Sequence, residues 1–426
     1  MIGEFERPGR RRAAQDRALA RYLRDTVAPY SPYYSERLKP TPPTSVEQLA
    51  TLPLTRLEDI GDPAALVLRP TAERIATSGD TALKARLRIA QATRRVTAIN
   101  REIIEPAYKP IHWHLTPLPL GYTAEDLDRL AEVGRTSLEM AGVQPDDVLV
   151  SLQPPAPELG FWQLALGARR AGIPSLLLGA ATEPEELAPL RPNVLAGSAG
   201  DLLRVLELGR ASGLSFAALH TILAIGEPLD PVERSRLAEL AGGGSTAAAV
   251  VASWAPPGVR ALWSECRDGV DAHTWPAFEV LELVDPITGG PLPPGTGGEV
   301  VYTPLGWKGS VVLRLRTDVF GSLDDAPCVS CGRTSPRLRL VPFLPPFARI
   351  LDEHSEVDLW QAELRHGGGS EELIVFVTPR VSGHPGRLLR DLDRQLSATQ
   401  FVVLDRASML ARLRAHGDAR VVDIRS

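Results

Sequence analysis

Short apolar runs alternate with amphipathic stretches through the middle of the chain. Val148-Leu149-Val150-Ser151-Leu152 is apolar enough to be buried on both faces, Leu159 to Ala171 follows with apolar positions at helical spacing, and Ser175-Leu176-Leu177-Leu178-Gly179 is the next such run. Strand, helix, strand is the repeat unit of a parallel sheet. The pattern predicts a further strand at Asn193 to Ala196, a helix from Asp201 to Arg210, a strand from Thr221 to Ile225 and a helix from Pro231 to Ala241. From Phe278 to Leu323 the helical period gives way to a β-rich section. Val341-Pro342-Phe343-Leu344-Pro345-Pro346-Phe347 then breaks the pattern, and successive prolines disfavour helix and stiffen a linker. The expectation is an α/β protein. A large N-terminal domain of residues 1–340 holds parallel strands flanked by helices plus the β-rich section. A linker of residues 341–349 leads to a small α+β domain of residues 350–426, whose clearest strand is Glu372-Leu373-Ile374-Val375-Phe376-Val377.

Composition narrows the function classes. The 426 residues carry 47 basic and 52 acidic side chains, a net charge of −5, so no basic field invites nucleic acid. No run approaches the roughly 18 apolar residues of a membrane span, and Arg10-Arg11-Arg12 precedes a charged amphipathic stretch instead of a signal-peptide core. A soluble, cytoplasmic protein of enzyme size is expected. Basic charge is almost wholly arginine, the lysines being Lys39, Lys84, Lys109 and Lys308.

Every cysteine falls in one section: Cys266 in Trp263-Ser264-Glu265-Cys266, and Cys328-Val329-Ser330-Cys331-Gly332-Arg333, with His273 seven residues after the first. Three thiols and an imidazole are the ligand set of a closed tetrahedral Zn²⁺ site, and Cys-x₂-Cys is the spacing at which one turn aims two sulfurs at one metal. The alternatives are a redox Cys-x-x-Cys and three unrelated buried thiols. The redox motif sits where a strand enters a helix, whereas this pair lies between Asp324-Asp325-Ala326-Pro327 and Gly332, a knuckle in a loop.

The segments around that cluster carry a resemblance. Gly289 to Leu305, with Gly298-Glu299-Val300-Val301-Tyr302-Thr303-Pro304-Leu305 at its end, is followed by Leu313-Arg314-Leu315-Arg316-Thr317-Asp318 and by Cys331-Gly332-Arg333. Upstream stand Tyr30-Ser31-Pro32-Tyr33-Tyr34, Leu52-Pro53-Leu54-Thr55 and Ala224-Ile225-Gly226-Glu227-Pro228-Leu229, and Arg420-Val421-Val422-Asp423-Ile424-Arg425 comes near the end. In this order the motifs resemble the phenylacetate-CoA ligase branch of the adenylate-forming enzymes. The resemblance implies ATP- and Mg²⁺-dependent activation of a carboxylic acid, aryl or otherwise, to an acyl-AMP. Attack by the thiol of CoA, or of a carrier protein, would follow.

Four devices serve that chemistry in the family, and the resemblance places each here. The phosphate loop would be Thr77-Ser78-Gly79-Asp80-Thr81-Ala82-Leu83-Lys84, with Asp80 where a hydroxyl is expected and Ala82 where a second glycine would let backbone approach the phosphates. An ordinary turn is the alternative. The adenine-stacking aromatic and Mg²⁺ carboxylate fall on Trp254-Ala255-Pro256-Pro257-Gly258, which keeps the aromatic and lacks the acid; Glu265 is the candidate substitute, and a solvated or salt-bridged carboxylate beside Cys266 is the alternative. The ribose-binding carboxylate would be Asp318, without the family's glycine after Thr317, or else a turn-capping Asp. The C-terminal lysine has no counterpart, Arg420 being the nearest positive charge. The ligase reading places an acid pocket between Pro154-Pro155-Ala156-Pro157 with Phe161 and Trp162, the turn Gly226-Glu227-Pro228, and Trp254; core packing is the alternative for these aromatics, and the expectation for Phe161 and Trp162 at the start of an apolar helix. His112 and His114 alternate as on a strand, and an exposed face is expected of them, a ligand or metal contact being the alternative. Two functions stay open: a divergent acid-thiol ligase, and an inactive homologue that binds a ligand or a protein partner.

Overall fold

The computed structural model describes residues 5–78, 80–93, 99–155, 158–241, 248–286, 288–293, 295–340, 350–351, 354–367, 370–380, 385–396, 400–415 and 421–423. It divides into a unit of residues 1–284 and 290–340 and a smaller one of 341–426 with 285–289. The linker reading of 341–349 lies outside the described residues. No described helix is long and apolar enough to cross a membrane.

The large unit opens on helix α1 (Pro8–Tyr22), with α2 (Ala72–Thr77) and α3 (Thr81–Ala92) further on. A two-stranded hairpin comes next, β1 (His112–Thr116) with β2 (Leu118–Tyr122). Helix α4 (Ala124–Met140) begins on a capping box in which Thr123 and Asp126 each accept the other's backbone N–H. Asp126, fully buried, also accepts from the N–H groups of Lys308 and Gly309, so one carboxylate fastens the helix start to a distant loop.

The predicted strand and helix alternation follows: β3 (Leu149–Ser151), α5 (Leu159–Ala171), β4 (Ser175–Leu177), β5 (Val194–Gly197), α6 (Ala199–Ala211), β6 (Thr221–Gly226), α7 (Pro231–Ala241) and β7 (Ala249–Trp254). These strands pair in parallel in the order β4-β3-β5-β6-β7. Helix α5 stops at Gly172, whose φ of 72° is the left-handed end that glycine allows. It crosses α4 at Gly134 and Gly167, where a Cβ on Gly134 would lie 2.2 Å from the Gln163 carbonyl oxygen.

Beyond β7 the sheet turns antiparallel through β8 (Trp263–Ser264), β9 (Ala272–His273), β10 (Glu279–Val284), β11 (Gly298–Pro304), β12 (Leu315–Asp324) and β13 (Arg337–Leu340). The completed eleven-stranded order is β10-β11-β12-β13-β9-β8-β7-β6-β5-β3-β4. The smaller unit pairs β14 (Val357–Gly367) antiparallel with β15 (Ser370–Pro379), flanked by β16 (Gln400–Val403) and β17 (Val421–Asp423), with helices α8 (Pro385–Gln395) and α9 (Arg406–Ala415). The α/β reading holds, and the strand sought at Glu372 to Val377 is the middle of β15.

Candidate functional site

The cysteine cluster is assembled by two pieces of the antiparallel region. The β8–β9 hairpin carries Cys266 and His273, and the loop before β13 carries Cys328 and Cys331; the register sets His273 opposite both Ser264 and Arg337. Cys266 Sγ lies 3.8 Å from Cys328 Sγ, Cys331 Sγ lies 3.5 Å from His273 Nε2, and all four ligand atoms fall within 4.8 Å of one another. The loop is a knuckle: the Cys328 N–H donates to the Arg333 carbonyl, the Gly332 N–H donates to the Cys328 carbonyl, and Gly332 takes φ 71°. Packing on the other side is tight enough that a Cβ on Gly269 would lie 2.9 Å from Cys266 Sγ.

Electrostatics suit a cation here. Burial, with the Arg333 and Arg337 charges adding to it, holds His273 down to about 4, so its ring is neutral. Its Nδ1 meets Ser335 Oγ at 2.9 Å, which leaves Nε2 for the cluster. Burial and then the other two thiols push Cys266 up to about 12. A divalent cation at the centre would reverse that cost, and an S₃N donor set fits Zn²⁺ with no position open to substrate.

The nucleotide-binding candidates are less convergent. Thr77 ends α2, and its hydroxyl donates to the carbonyls of Glu73 and Arg74. The Ser78 hydroxyl, buried, donates to the Ile75 carbonyl and accepts from Tyr30 Oη. Asp80 is the N-cap of α3, accepting from the Leu83 N–H at 2.9 Å, which accounts for an acid at this position. Thr81 opens that helix, Lys84 is half-buried one turn on, and Gly79 lies outside the described residues. The segment is thus a helix end and a capped helix start, with two of its hydroxyls already committed.

Gly226, Glu227 and Pro228 form an exposed turn at the end of β6, Gly226 at φ 126°, in register with Trp254 on β7. The Trp254 ring is buried edge-to-face on Trp263, centroids 5.2 Å apart, and so packs in the core. Gly258 takes φ 89°, and a Cβ there would lie 2.6 Å from Leu315, so a side chain at this position is strained and needs Leu315 to shift. Glu265 is buried, accepts from both Arg234 Nη2 (2.6 and 2.8 Å) and the Ala252 N–H (2.8 Å), and is thereby committed. Burial raises its pKa against those partners. Asp318 sits exposed at a break in the β11–β12 register with φ 54°, its carboxylate 3.4 Å from Arg56. The residue that follows the missing glycine has itself taken the left-handed conformation, which Asp tolerates better than most. Arg420, and Ala156 and Pro157 of the acid-pocket loop, lie outside the described residues.

The histidines overturn their expectation. In β1 it is Trp113 and Leu115 that face solvent, as does Ile111 just before the strand, while His114 is buried and His112 half-buried, because the inward face packs on aromatics. The His112 ring lies 4.3 Å from Trp162, which lies 5.3 Å from the buried Phe161. Two features that the sequence presents separately therefore share one wall.

Sequence reasoning missed Glu279. Wholly enclosed on β10, its Oε1 accepts from Trp263 Nε1 (2.9 Å) and the Trp275 N–H (2.8 Å), fixing the ring on which Trp254 stacks. Burial pushes its pKa up to about 8. A folded value above the unfolded one means that this stability is complete below about 4.5 and is lost as pH rises through about 8, by up to ~1.4 kcal/mol per unit. Glu279→Gln, which keeps the acceptor oxygen, is expected to flatten the fall in urea midpoint between about pH 5 and about pH 8.5. Equal slopes in the two proteins would refute it.

No family model matches the chain. It is 31% identical over 227 residues to a phenylacetate-coenzyme A ligase of Thermus thermophilus, covering 52% of this chain and 50% of that protein. A phenylacetate-coenzyme A ligase of Aromatoleum evansii is 26% identical over 208 residues, 47% of this chain and 46% of its own length. The chain spans about half the length of these curated relatives. Among solved structures, 2-hydroxyisobutyryl-CoA ligase with 2-HIB-AMP and CoA aligns over 99% of this chain and 91% of that one, with TM-score 0.62 and 18% identity. An open conformation of the same ligase gives 0.63 at 17% identity, over 95% of this chain and 90% of that one.

Proposed function

We propose that this chain, a sequence relative of the phenylacetate-coenzyme A ligases with the fold of the adenylate-forming CoA ligases, acts on a small carboxylic acid and its thioester, with a strongly slowed adenylation step. The observation that carries the acid–thiol assignment is the pairing of phenylacetate-coenzyme A ligases as sequence relatives with a CoA ligase fold spanning the whole chain. The parallel strands support the location. Order β4-β3-β5-β6-β7 reverses direction between β3 and β5, and ligands of such sheets bind beyond the strand ends at the reversal. Gln153 to Pro155 follows β3 there, and Trp162 of α5 lies against His112. The acid is assigned to this aromatic wall, and the thiol acceptor is CoA or a carrier-protein thiol.

What speaks for slow adenylation is the state of the groups assigned to ATP and Mg²⁺. Glu265 is bound to Arg234, a side chain in place of Gly258 would be strained against Leu315, and the Thr77 and Ser78 hydroxyls are engaged within their own helix end. These residues do not fit a magnesium nucleotide as they stand. The same observation favours a second reading, a homologue that binds an acid or thioester without activating it. Isothermal titration with ATP and Mg²⁺, alone and with a panel of aryl and acyl carboxylates, separates the two. Carboxylate-dependent pyrophosphate release supports the ligase. Acid binding with no release supports the binding protein, and no binding of any acid or thioester sinks both. We also assign a structural Zn²⁺ to Cys266, His273, Cys328 and Cys331.

A further inference from the structure

Strand β4 is the last strand of the eleven-stranded sheet, and Ser175, Leu176, Leu177 and Leu178 are all exposed, the three leucines by 40%, 39% and 40%. An apolar edge strand is a template for another chain, and proteins that stay monomeric blunt it with lysine, proline or a bulge. None of these interrupts Ser175 to Leu178. Pro174 stands just before and Gly179, at φ 98°, just after, so they bound the free edge without covering it.

The hydrogen bonds to β3 fix which backbone groups are free. The Leu149 N–H donates to the Pro174 carbonyl and the Leu178 N–H donates to the Ser151 carbonyl, each at 2.9 Å. In a parallel ladder the bonded residues alternate, so Pro174, Leu176 and Leu178 face β3, while Ser175 and Leu177 turn their N–H and C=O outward. The flanks carry opposite charge: exposed Arg169 and Arg170 precede the strand, Arg170 bound to Glu132 at 2.6 Å, and exposed Glu183, Glu185 and Glu186 follow it, Glu183 3.7 Å from Arg204.

We propose that β4 is the dimerisation edge of this protein, pairing antiparallel with β4 of a second copy across a two-fold axis at Leu176. Ser175 of one copy then exchanges both backbone hydrogen bonds with Leu177 of the other. The two Leu176 side chains meet in the close, non-hydrogen-bonded position on the axis. Antiparallel pairing also sets the basic start of each strand beside the acidic end of the other, a self-complementary arrangement that no unrelated partner is required to supply. The leucines gain burial on both faces of the joined sheet.

Light scattering on the full chain is expected to give a dimer at micromolar concentration. Leu176→Lys sets like charges opposite one another on the axis, and Leu177→Pro removes an outward N–H while sparing the ladder to β3; each is expected to weaken the dimer at least ~10-fold with the circular dichroism unchanged. Leu176→Cys is expected to form a disulfide-linked dimer under mild oxidation, and Leu177→Cys, facing Ser175, is not. A wild-type protein monomeric at about 100 μM overturns the proposal. So does a dimer that survives both substitutions, and equal crosslinking at the two positions overturns the register.

Discussion

Purified protein is expected to contain about one equivalent of Zn²⁺ per chain, and Cys328→Ser to be insoluble or unfolded through the β8 to β13 region. The argument is topological as well as chemical. Cys266 and His273 sit on a hairpin of two-residue strands, too short to hold itself together, and Cys328 and Cys331 sit on a loop tied by two backbone hydrogen bonds. Four metal bonds join these pieces where packing alone places three buried or half-buried thiols around a neutral imidazole. Structural zinc is worth on the order of 10 kcal/mol in small domains, and binding free energy of that kind is folding free energy. Ser335→Ala, which frees His273 Nδ1, is expected to lower metal affinity ~10–100-fold while leaving the protein folded. Elemental analysis and a chelator titration check both. Native, soluble protein with no zinc and three freely reactive thiols would sink the assignment.

The parallel half of the fold was legible because it obeys a simple period. Helices Leu159 to Ala171 and Pro231 to Ala241 lie where the apolar spacing puts them, and strands β3 to β6 lie within a few residues of their apolar runs. The β1 strand shows where periodicity stops informing. Alternation is plain in Ile111-His112-Trp113-His114-Leu115, but it says only that two faces differ, and the usual rule of apolar-in picks the wrong one. What decides the face is tertiary: Trp162 and Tyr122, whose rings lie 4.3 Å from His112 and 4.5 Å from His114, take the imidazoles as edge-to-face partners.

The cysteine–histidine cluster was legible for a different reason. Cysteine is rare here, so its spacing carried information that no background of similar residues diluted. Carboxylates are common, and spacing could not separate Glu265 and Asp80 from any other acid. Only the structure reveals that one is held by Arg234 and the other caps a helix. Gly258 is the clearest case. In sequence it looks like a deleted function, and in space it takes φ 89°, where a Cβ would lie 2.6 Å from Leu315 and 3.2 Å from Leu57, so the backbone there favours glycine.

Carboxylate-dependent exchange of pyrophosphate into ATP is expected to run orders of magnitude below that of the Thermus thermophilus phenylacetate-coenzyme A ligase measured alongside. Removing one charge-stabilising group from such a transition state costs about 3–4 kcal/mol, roughly 10²–10³ in rate, and in the proposed reading two are altered, with Gly258 at the position assigned to the magnesium carboxylate and Arg420 at the one assigned to the lysine. Gly258→Glu is expected not to restore exchange, since the new Cβ would meet Leu315 at 2.6 Å and the residue would have to hold φ 89°. Glu265→Ala leaves the largely buried Arg234 without its carboxylate and is expected to cost about 3 kcal/mol of stability, read from urea unfolding, instead of acting on exchange. Brisk exchange abolished in Glu265→Ala, with stability unchanged, would reverse that role and make Glu265 the metal carboxylate. Brisk exchange in the unmodified protein overturns the slow-adenylation reading, and if it survives Glu265→Ala and Arg420→Ala together the charge-stabilising groups lie elsewhere in the chain.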